Sequence, residues 1–167
     1  MKQTYTSSAT SINSTKLPAV YRRAKLSAPF VLDYGCGKYT DHIKAELNKQ
    51  GRHLFPYDPY NQPEQTNKKT MESLRIACDH ELPMDVICSN VLNVIDDDRT
   101  VLFIAETIEN IVTKTGGTAY ITVYEGNRSG VGRQTGKDQY QRNEPLRNYL
   151  RFFRNATVKN GMIVVER

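Results

Sequence analysis

Asp33, Gly35 and Gly37 stand in the run Phe30-Val31-Leu32-Asp33-Tyr34-Gly35-Cys36-Gly37-Lys38-Tyr39, where an apolar stretch ends in an acid and breaks into two glycines. Glycine removes side chains where a ligand approaches the backbone, and amides at the start of a following helix favour a carboxylate. Asp58 follows 25 residues after Asp33, at the end of the next short apolar run. An acid at the tip of the second strand of a βαβ unit accepts hydrogen bonds from two ribose hydroxyls. The bland role for Asp58 is to cap its own Asp58-Pro59 turn. A ligand gripped by its phosphates is disfavoured, because GxxxxGK[ST] is absent and Lys38 is not followed by Ser or Thr. Lys38, Tyr39 and Thr40 follow Gly37, so the third glycine of a dinucleotide site is missing too. These types and spacings point to a nucleoside held without a pyrophosphate.

Two more groups of residues carry chemistry. In Ser89-Asn90-Val91-Leu92-Asn93-Val94-Ile95 two asparagines straddle the end of an apolar strand. Polar groups so near a core need partners. Asn90 stands where a strand end meets a ligand crevice, and its amide suits a substrate or a bound cofactor; local capping fits Asn93 better. From Glu125 to Asn143 runs a Gly-rich, basic segment after the last parallel strand. Long loops of this kind are more often functional or disordered than idle. Arg128 and Arg133 with Tyr140, Gln141 and Asn143 suit an anionic or nucleobase-bearing substrate. A flexible connector is the competing reading. His42, His53 and His80 are dispersed and have no metal-ligand spacing with the cysteines, so no metal site is expected. No nucleophile elbow is present.

The elements that must position these residues alternate between β and α. Residues 30–35 read as a strand. A helix follows from Asp41, capped by Thr40 or Asp41, with Ile43 and Leu47 inward and Gly51 at its end. His53–Asp58 is a short strand, and Pro56, awkward in a central strand, points to an edge or a strand start. Residues 64–81 form a modest helix, and Asp85–Asn90 a strand buried on both faces. Asp96 or Asp97 caps a helix whose stripe is Val101, Ile104, Ala105, Ile108, Ile111 and Val112, and Gly116-Gly117 stops it. Thr118–Tyr124 is strongly β-prone. Residues 125–141 read as loop and Leu146–Phe153 as a short helix. Ala156–Val158 pairs with Met162–Val165 across Lys159-Asn160-Gly161, since Asn-Gly is a strong hairpin signal. The fold class is α/β: a minimal, mostly parallel sheet with a C-terminal antiparallel hairpin.

Length and charge bound the rest. A chain of 167 residues is one domain by size and buries a real core. Residues 1–28 read as an N-terminal arm with a short helix; 1–15, rich in Ser and Thr, read as mobile. The net charge is +5 and the pI about 9.1, which admits nucleic acid as a partner without requiring it. Residues 1–27 hold no acid. Residues 128–154 hold Arg128, Arg133, Lys137, Arg142, Arg147, Arg151 and Arg154 against Asp138 and Glu144. Two such segments suit a positive rim around a cleft. Three cysteines without a CxxC pair fit a reduced, cytoplasmic protein, in the host cytoplasm if the chain belongs to a phage. Neither a signal peptide nor a membrane span is expected.

Taken together, VLDYGCGKY, YDPYN, DVICSNVLNVI, an amphipathic helix and GGTAYITVYE resemble the class I S-adenosylmethionine-dependent methyltransferases. More narrowly, the chain looks like the small methyltransferase-like proteins of phages and mobile elements, and shares NVLNVI with methyltransferase-like proteins linked to DNA modification. The likeness covers residues 9–165 and includes Thr10–Lys16. It implies a Rossmann-like domain over 29–167 that binds S-adenosylmethionine. Asp33, Gly35 and Gly37, with Tyr34 in the same turn, would line the methionine end; Asp58 would bind the ribose. Pro59 and Tyr60 would flank the adenine, and Asn90 with Val91 would sit beside the sulfonium. The strand normally found between Asp58 and Asp85, and the acid near the adenine amine, have no match. The signatures of DNA amino-methylation and of cytosine-C5 methylation are also absent. The expected activity is in-line methyl transfer to an unidentified acceptor, with nucleic acid a candidate and Asn90 and Glu125 the first catalytic positions to test. Without a target-recognition domain, a protein partner is a candidate source of recognition. The alternative is a phage protein that binds or degrades S-adenosylmethionine against host defence or modification.

Overall fold

The structure is a computed structural model describing residues 3–8 and 13–167; Thr10, Ser11 and Ile12 of the expected lead-in lie outside them. The strands are β1 (Phe30–Tyr34), β2 (His53–Tyr57), β3 (Met84–Ser89), β4 (Ala119–Thr122), β5 (Arg133–Gly136), β6 (Gln139–Gln141), β7 (Ala156–Lys159) and β8 (Met162–Val165). The helices are α1 (Ala19–Arg23), α2 (Asp41–Lys49), α3 (Glu64–Asp79) and α4 (Asp98–Thr115). Six strands form one sheet in the order β2-β1-β3-β4-β8-β7, the first four mutually parallel and β8 antiparallel to both of its neighbours, β4 and β7. This is a Rossmann-like α/β fold with a C-terminal antiparallel hairpin. β2 is an edge strand, which accommodates Pro56, a residue with no N–H to donate. The chain passes from β2 through α3 directly to β3, with no strand between.

Strand period divides the core into two layers. Leu32, Val86, Cys88, Ala119, Ile121, Ile163 and Val165 pack on the face covered by α3, α4 and the 3-10 helix Leu146–Phe152. Val31, Ile87, Tyr120, Met162 and Val164 alternate with them and meet Val20 and Tyr21 of α1 and Ile43 and Leu47 of α2. Both faces are therefore apolar, as a parallel sheet requires. α4 begins at Asp97, whose side chain accepts from the Thr100 N–H (2.9 Å), and ends at Gly116 in the left-handed region. α2 has no side-chain cap at Thr40.

The sheet's lower edge is pinned by a buried carboxylate. Asp85 Oδ2 accepts from the N–H groups of Ser27 (2.7 Å) and Ala28 (2.9 Å), and Oδ1 from that of Thr118 (2.9 Å). It thereby joins the approaches to β1 and β4. A carboxylate without access to water is tolerated when N–H groups saturate it in this way.

Two segments differ from the sequence expectation. The stretch 125–141 contains the β5–β6 hairpin, too polar and too short to show an alternating pattern. Residues 146–152 wind as a 3-10 helix rather than an α-helix. A prediction concerns the adjacent glycines after α4. A Cβ at Gly117 would lie 1.8 Å from the backbone oxygen of Met84, whereas at Gly116 (φ +71°) the nearest atom is Arg167 Nη1 at 3.8 Å. Gly117→Ala should cost about 3 kcal/mol or more, through overpacking against backbone. Gly116→Ala should cost about 1 kcal/mol through its left-handed backbone. Urea unfolding of the two variants separates them.

Candidate functional site

At the C-terminal ends of β1 and β3 the chain leads away in opposite directions, to β2 on one side and β4 on the other. Such a switch point opens a crevice. Two cavities of ≈630 Å³ and ≈350 Å³ occupy it and share a sill formed by Gly35, Cys36, Ser89 and Asn90. Sites for small molecules are commonly of about 300–1,000 Å³.

β1 serves both cavities because its side chains alternate. Asp33 points to the α1 face and lines the smaller cavity; Tyr34 points to the other face and lines the larger. Asp33 is buried and accepts a 2.5 Å hydrogen bond from the Tyr21 hydroxyl. Burial pushes its carboxyl up to about 7; Tyr21's hydrogen bond opposes this, and the charge of Asp58 adds to it. Gly35 (φ +85°) is required twice over: a Cβ there would also stand 2.3 Å from Val91 Cγ2. The Gly35 and Cys36 N–H groups donate to the Tyr57 carbonyl, which folds the β1–α2 turn onto the end of β2.

Asp58 ties that turn from the other side. Its Oδ2 accepts from the Gly37 N–H (3.0 Å), and its Oδ1 from the N–H groups of Tyr60 and Asn61 (3.0 Å each). The Asn61 side-chain amide bridges both oxygens at 3.2 Å. Asn67 of α3 clamps the Asp58 backbone at N–H and C=O, and Gln62 Nε2 donates to the Gly37 carbonyl (2.6 Å). So Asp58 lines the larger cavity with Pro59 and Tyr60, and at the same time it caps its own turn. Asn61, Gln62 and Asn67 were not distinguishable from loop and helix-surface amides in the sequence.

Asn90 closes β3 in the left-handed conformation (φ +57°), its N–H on the Thr122 carbonyl, and borders both cavities. Glu125 lines neither. Its carboxylate accepts from the Leu146 N–H (2.7 Å) at the start of the 3-10 helix and pairs with Arg128, interactions that hold it below the ordinary carboxylate range.

The basic segment divides. Tyr140 and Gln141 line the larger cavity. Asn143 is buried and organises the turn beside it, its Oδ1 so close to Gly126 that a Cβ there would lie 1.9 Å away. Arg142 is buried, bonded to the Ile95 carbonyl (2.5 Å), Glu144 and Asp98. Arg151 pairs with Glu144, and Arg154 with Glu106. Arg133 is exposed on the hairpin. Among the described residues no Lys or Arg lines the larger cavity, so the described part of the expected positive rim does not form its wall; Arg23 and Lys38 border the smaller one. Among the described residues, no cluster of His, Cys, Asp and Glu could hold a metal, and no helix is long and apolar enough to cross a membrane.

The N-terminal arm returns over the cleft. Tyr5 stacks on Tyr140 (5.5 Å, 15°), and the Gln3 N–H reaches the Tyr60 hydroxyl (3.2 Å) on the opposite lip. The Thr6 N–H donates to Asp138 Oδ1 (2.9 Å) and its hydroxyl to Oδ2, while the Ser7 N–H meets the Asp138 carbonyl. Residues 3–8, expected to be mobile, are thus a strap across the larger cavity. The Ser- and Thr-rich composition that suggested disorder also supplies the hydroxyl for Asp138. Those bonds from Thr6 depress the Asp138 carboxyl, so the tether is present at neutral pH and is lost as pH falls through its lowered pKa. Asp138→Ala should abolish protection of the Thr6 amide in hydrogen exchange at pH 7 and leave α4 protected. Comparison of the chain with known protein families, curated proteins and solved structures finds no match.

Proposed function

We propose that the chain is a methyltransferase that binds S-adenosylmethionine across the sill between the two cavities and serves an acceptor in the larger one. The observation that carries this reading is the pair of cavities meeting at Gly35-Cys36 and Ser89-Asn90, at the switch point of a Rossmann-like sheet. On this reading the nucleoside lies toward Asp58, Pro59 and Tyr60, and the amino-acid end lies in the smaller cavity. There Asp33 meets an ammonium, and Arg23 and Lys38 offer positive charge to a carboxylate.

When bound, S-adenosylmethionine supplies an activated methyl group whose leaving group is a neutral thioether. The protein's task is then chiefly alignment. Among the described residues Asp58 is the only carboxylate lining the larger cavity, and its lone pairs already face N–H groups. With Glu125 engaged at Leu146, the site holds no spare carboxylate base. The reading therefore requires an acceptor that is nucleophilic as it stands and releases its proton after the methyl arrives. Asn90, at the sill, is a positioning group rather than a base.

Calorimetry of the full chain with S-adenosylmethionine should show binding with one site. Because a bound ammonium favours ionised Asp33, binding should release a proton near pH 7. Affinity should rise between about pH 6 and 8, where the raised carboxyl titrates. The measured enthalpy should accordingly differ between buffers of different ionisation enthalpy, and Asp33→Asn should remove that difference. Absence of binding at 1 mM ligand, on the order of 4 kcal/mol, would sink the reading. Consumption of S-adenosylmethionine with no acceptor present would overturn transfer in favour of cleavage.

A further inference from the structure

Residues 3–8 cross the larger cavity without entering either apolar layer of the core. None of them is buried, and the Tyr5 ring lies against that of Tyr140 rather than in the core. α1, further along the same N-terminal region, is different: its Val20 and Tyr21 are buried against the sheet. The strap is held by polar bonds and one stack, with Gln3 on the Tyr60 hydroxyl, Tyr5 on Tyr140, and Thr6 and Ser7 on Asp138. It also has bonds of its own. The Gln3 side-chain amide donates to the Tyr5 carbonyl, and the Thr6 and Ser8 hydroxyls share a bond (3.0 Å). Such a segment moves as one piece. Backbone order is costly, and segments with few buried apolar contacts open at low free energy without disturbing the core.

The position of the strap gives that opening a use. Gln3, Thr6 and Ser7 line the larger cavity, as do Tyr60 and Tyr140, the residues they reach across to join. Tyr60 follows β2 and Tyr140 lies on β6, so the strap connects two lips that share no strand pairing. None of residues 3–8 lines the smaller cavity, so the strap acts on one cavity alone. A ligand that fills the larger cavity touches the inner side of the strap and both lips. By linkage it stabilises the closed form, and the closed form slows its escape.

We infer that residues 3–8 are a lid: the strap lifts from Tyr60, Tyr140 and Asp138 to admit a small molecule to the larger cavity, and closes over it. Lifting exchanges a few polar bonds for bonds to water, separates one ring pair, and withdraws no buried side chain from the core. The closed strap completes part of the cavity wall and keeps water from it. The lid does not depend on what the cavity holds. That the nucleoside end of S-adenosylmethionine lies beneath it rests on the methyltransferase reading.

Thiol reactivity tests this without a ligand. Val94 is half-buried and lines the larger cavity but not the smaller. In Val94→Cys the introduced thiol is treated with iodoacetamide. Mass spectrometry follows its modification beside that of Cys78, which lies on α3 outside both cavities. Adding Tyr5→Ser and Asp138→Ala, which remove the stack and the tether, should speed modification at position 94 about tenfold and leave Cys78 unchanged. Gln139→Cys, at the same cavity, replaces the reporter if Val94→Cys does not fold. Equal rates at the cavity with and without the strap's fastenings would overturn the lid. So would faster modification of Cys78, or loss of α4 protection in hydrogen exchange, because the strap would then be part of the fold. Release of S-adenosylhomocysteine supplies a second measurement. It should leave the full chain carrying Tyr5→Ser and Asp138→Ala about fivefold or more faster than the unsubstituted chain. An equal release rate would overturn closure over the ligand. If S-adenosylhomocysteine does not bind at all, the methyltransferase reading fails, and the thiol rates still decide the lid.

Discussion

The crevice depends on one buried carboxylate. Asp58 gathers the Gly37 N–H from the β1–α2 turn and the Tyr60 and Asn61 N–H groups from its own turn, so two loops that would otherwise splay are held around a single anion. Bonds to an ionised acceptor are the stronger kind, and three backbone donors are preorganised here without side-chain entropy. Asp85 does the same at the other end of the sheet with Ser27, Ala28 and Thr118. One acid aligns where strands begin and the other fixes where the loops leave. Between them the apolar alternation of β1, β3, β4 and β8 needs only to choose faces.

That alternation explains why so much of the fold was legible in the sequence. Long apolar periods state their own partners: the α4 stripe and the continuous β3 run admit few packings, and Pro56 excludes a central strand by chemistry, leaving the structure to decide between an edge and a strand start. The missing strand after Asp58 was legible as a polar helical stretch. Short polar elements state nothing of the kind. Arg133–Gly136 and Gln139–Gln141 pair because the chain between Gly136 and Gln139 turns tightly and because Tyr5 and Thr6 hold Tyr140 and Asp138. Contacts between positions more than 130 residues apart leave no local pattern. The same holds for the arm, whose composition alone reads as disorder.

Charge was the less reliable guide. Arg142 counts as one base in a basic segment, yet it is buried beneath the cleft with its guanidinium on Ile95, Glu144 and Asp98. A buried cation must be paired, so its partners cancel its field where a ligand would feel it. Arg128, Arg151 and Arg154 are likewise matched with acids. A net charge of +5 says how many charges a chain carries and nothing of which are neutralised in place. The wall that results is tyrosine-rich and, among the described residues, carries Asp58 but no Lys or Arg. Anionic parts of a large ligand would meet Arg133 outside the cavity rather than a base within it.

The saturation of Asp58 bears directly on how a ribose could be held there. Its backbone donors cannot leave without unmaking the turns. The Asn61 side chain is different: it reaches both carboxylate oxygens at 3.2 Å, the longest of the contacts, and its own Oδ1 is buried without a partner. It therefore holds its place with half its hydrogen-bonding capacity unused. A hydroxyl arriving at Asp58 would displace that amide alone, and the amide, swung aside, would regain a partner for Oδ1. The exchange conserves every backbone bond that shapes the crevice. An Asp that caps its own turn and an Asp that binds a ribose are thus compatible roles, separated by the rotation of one asparagine.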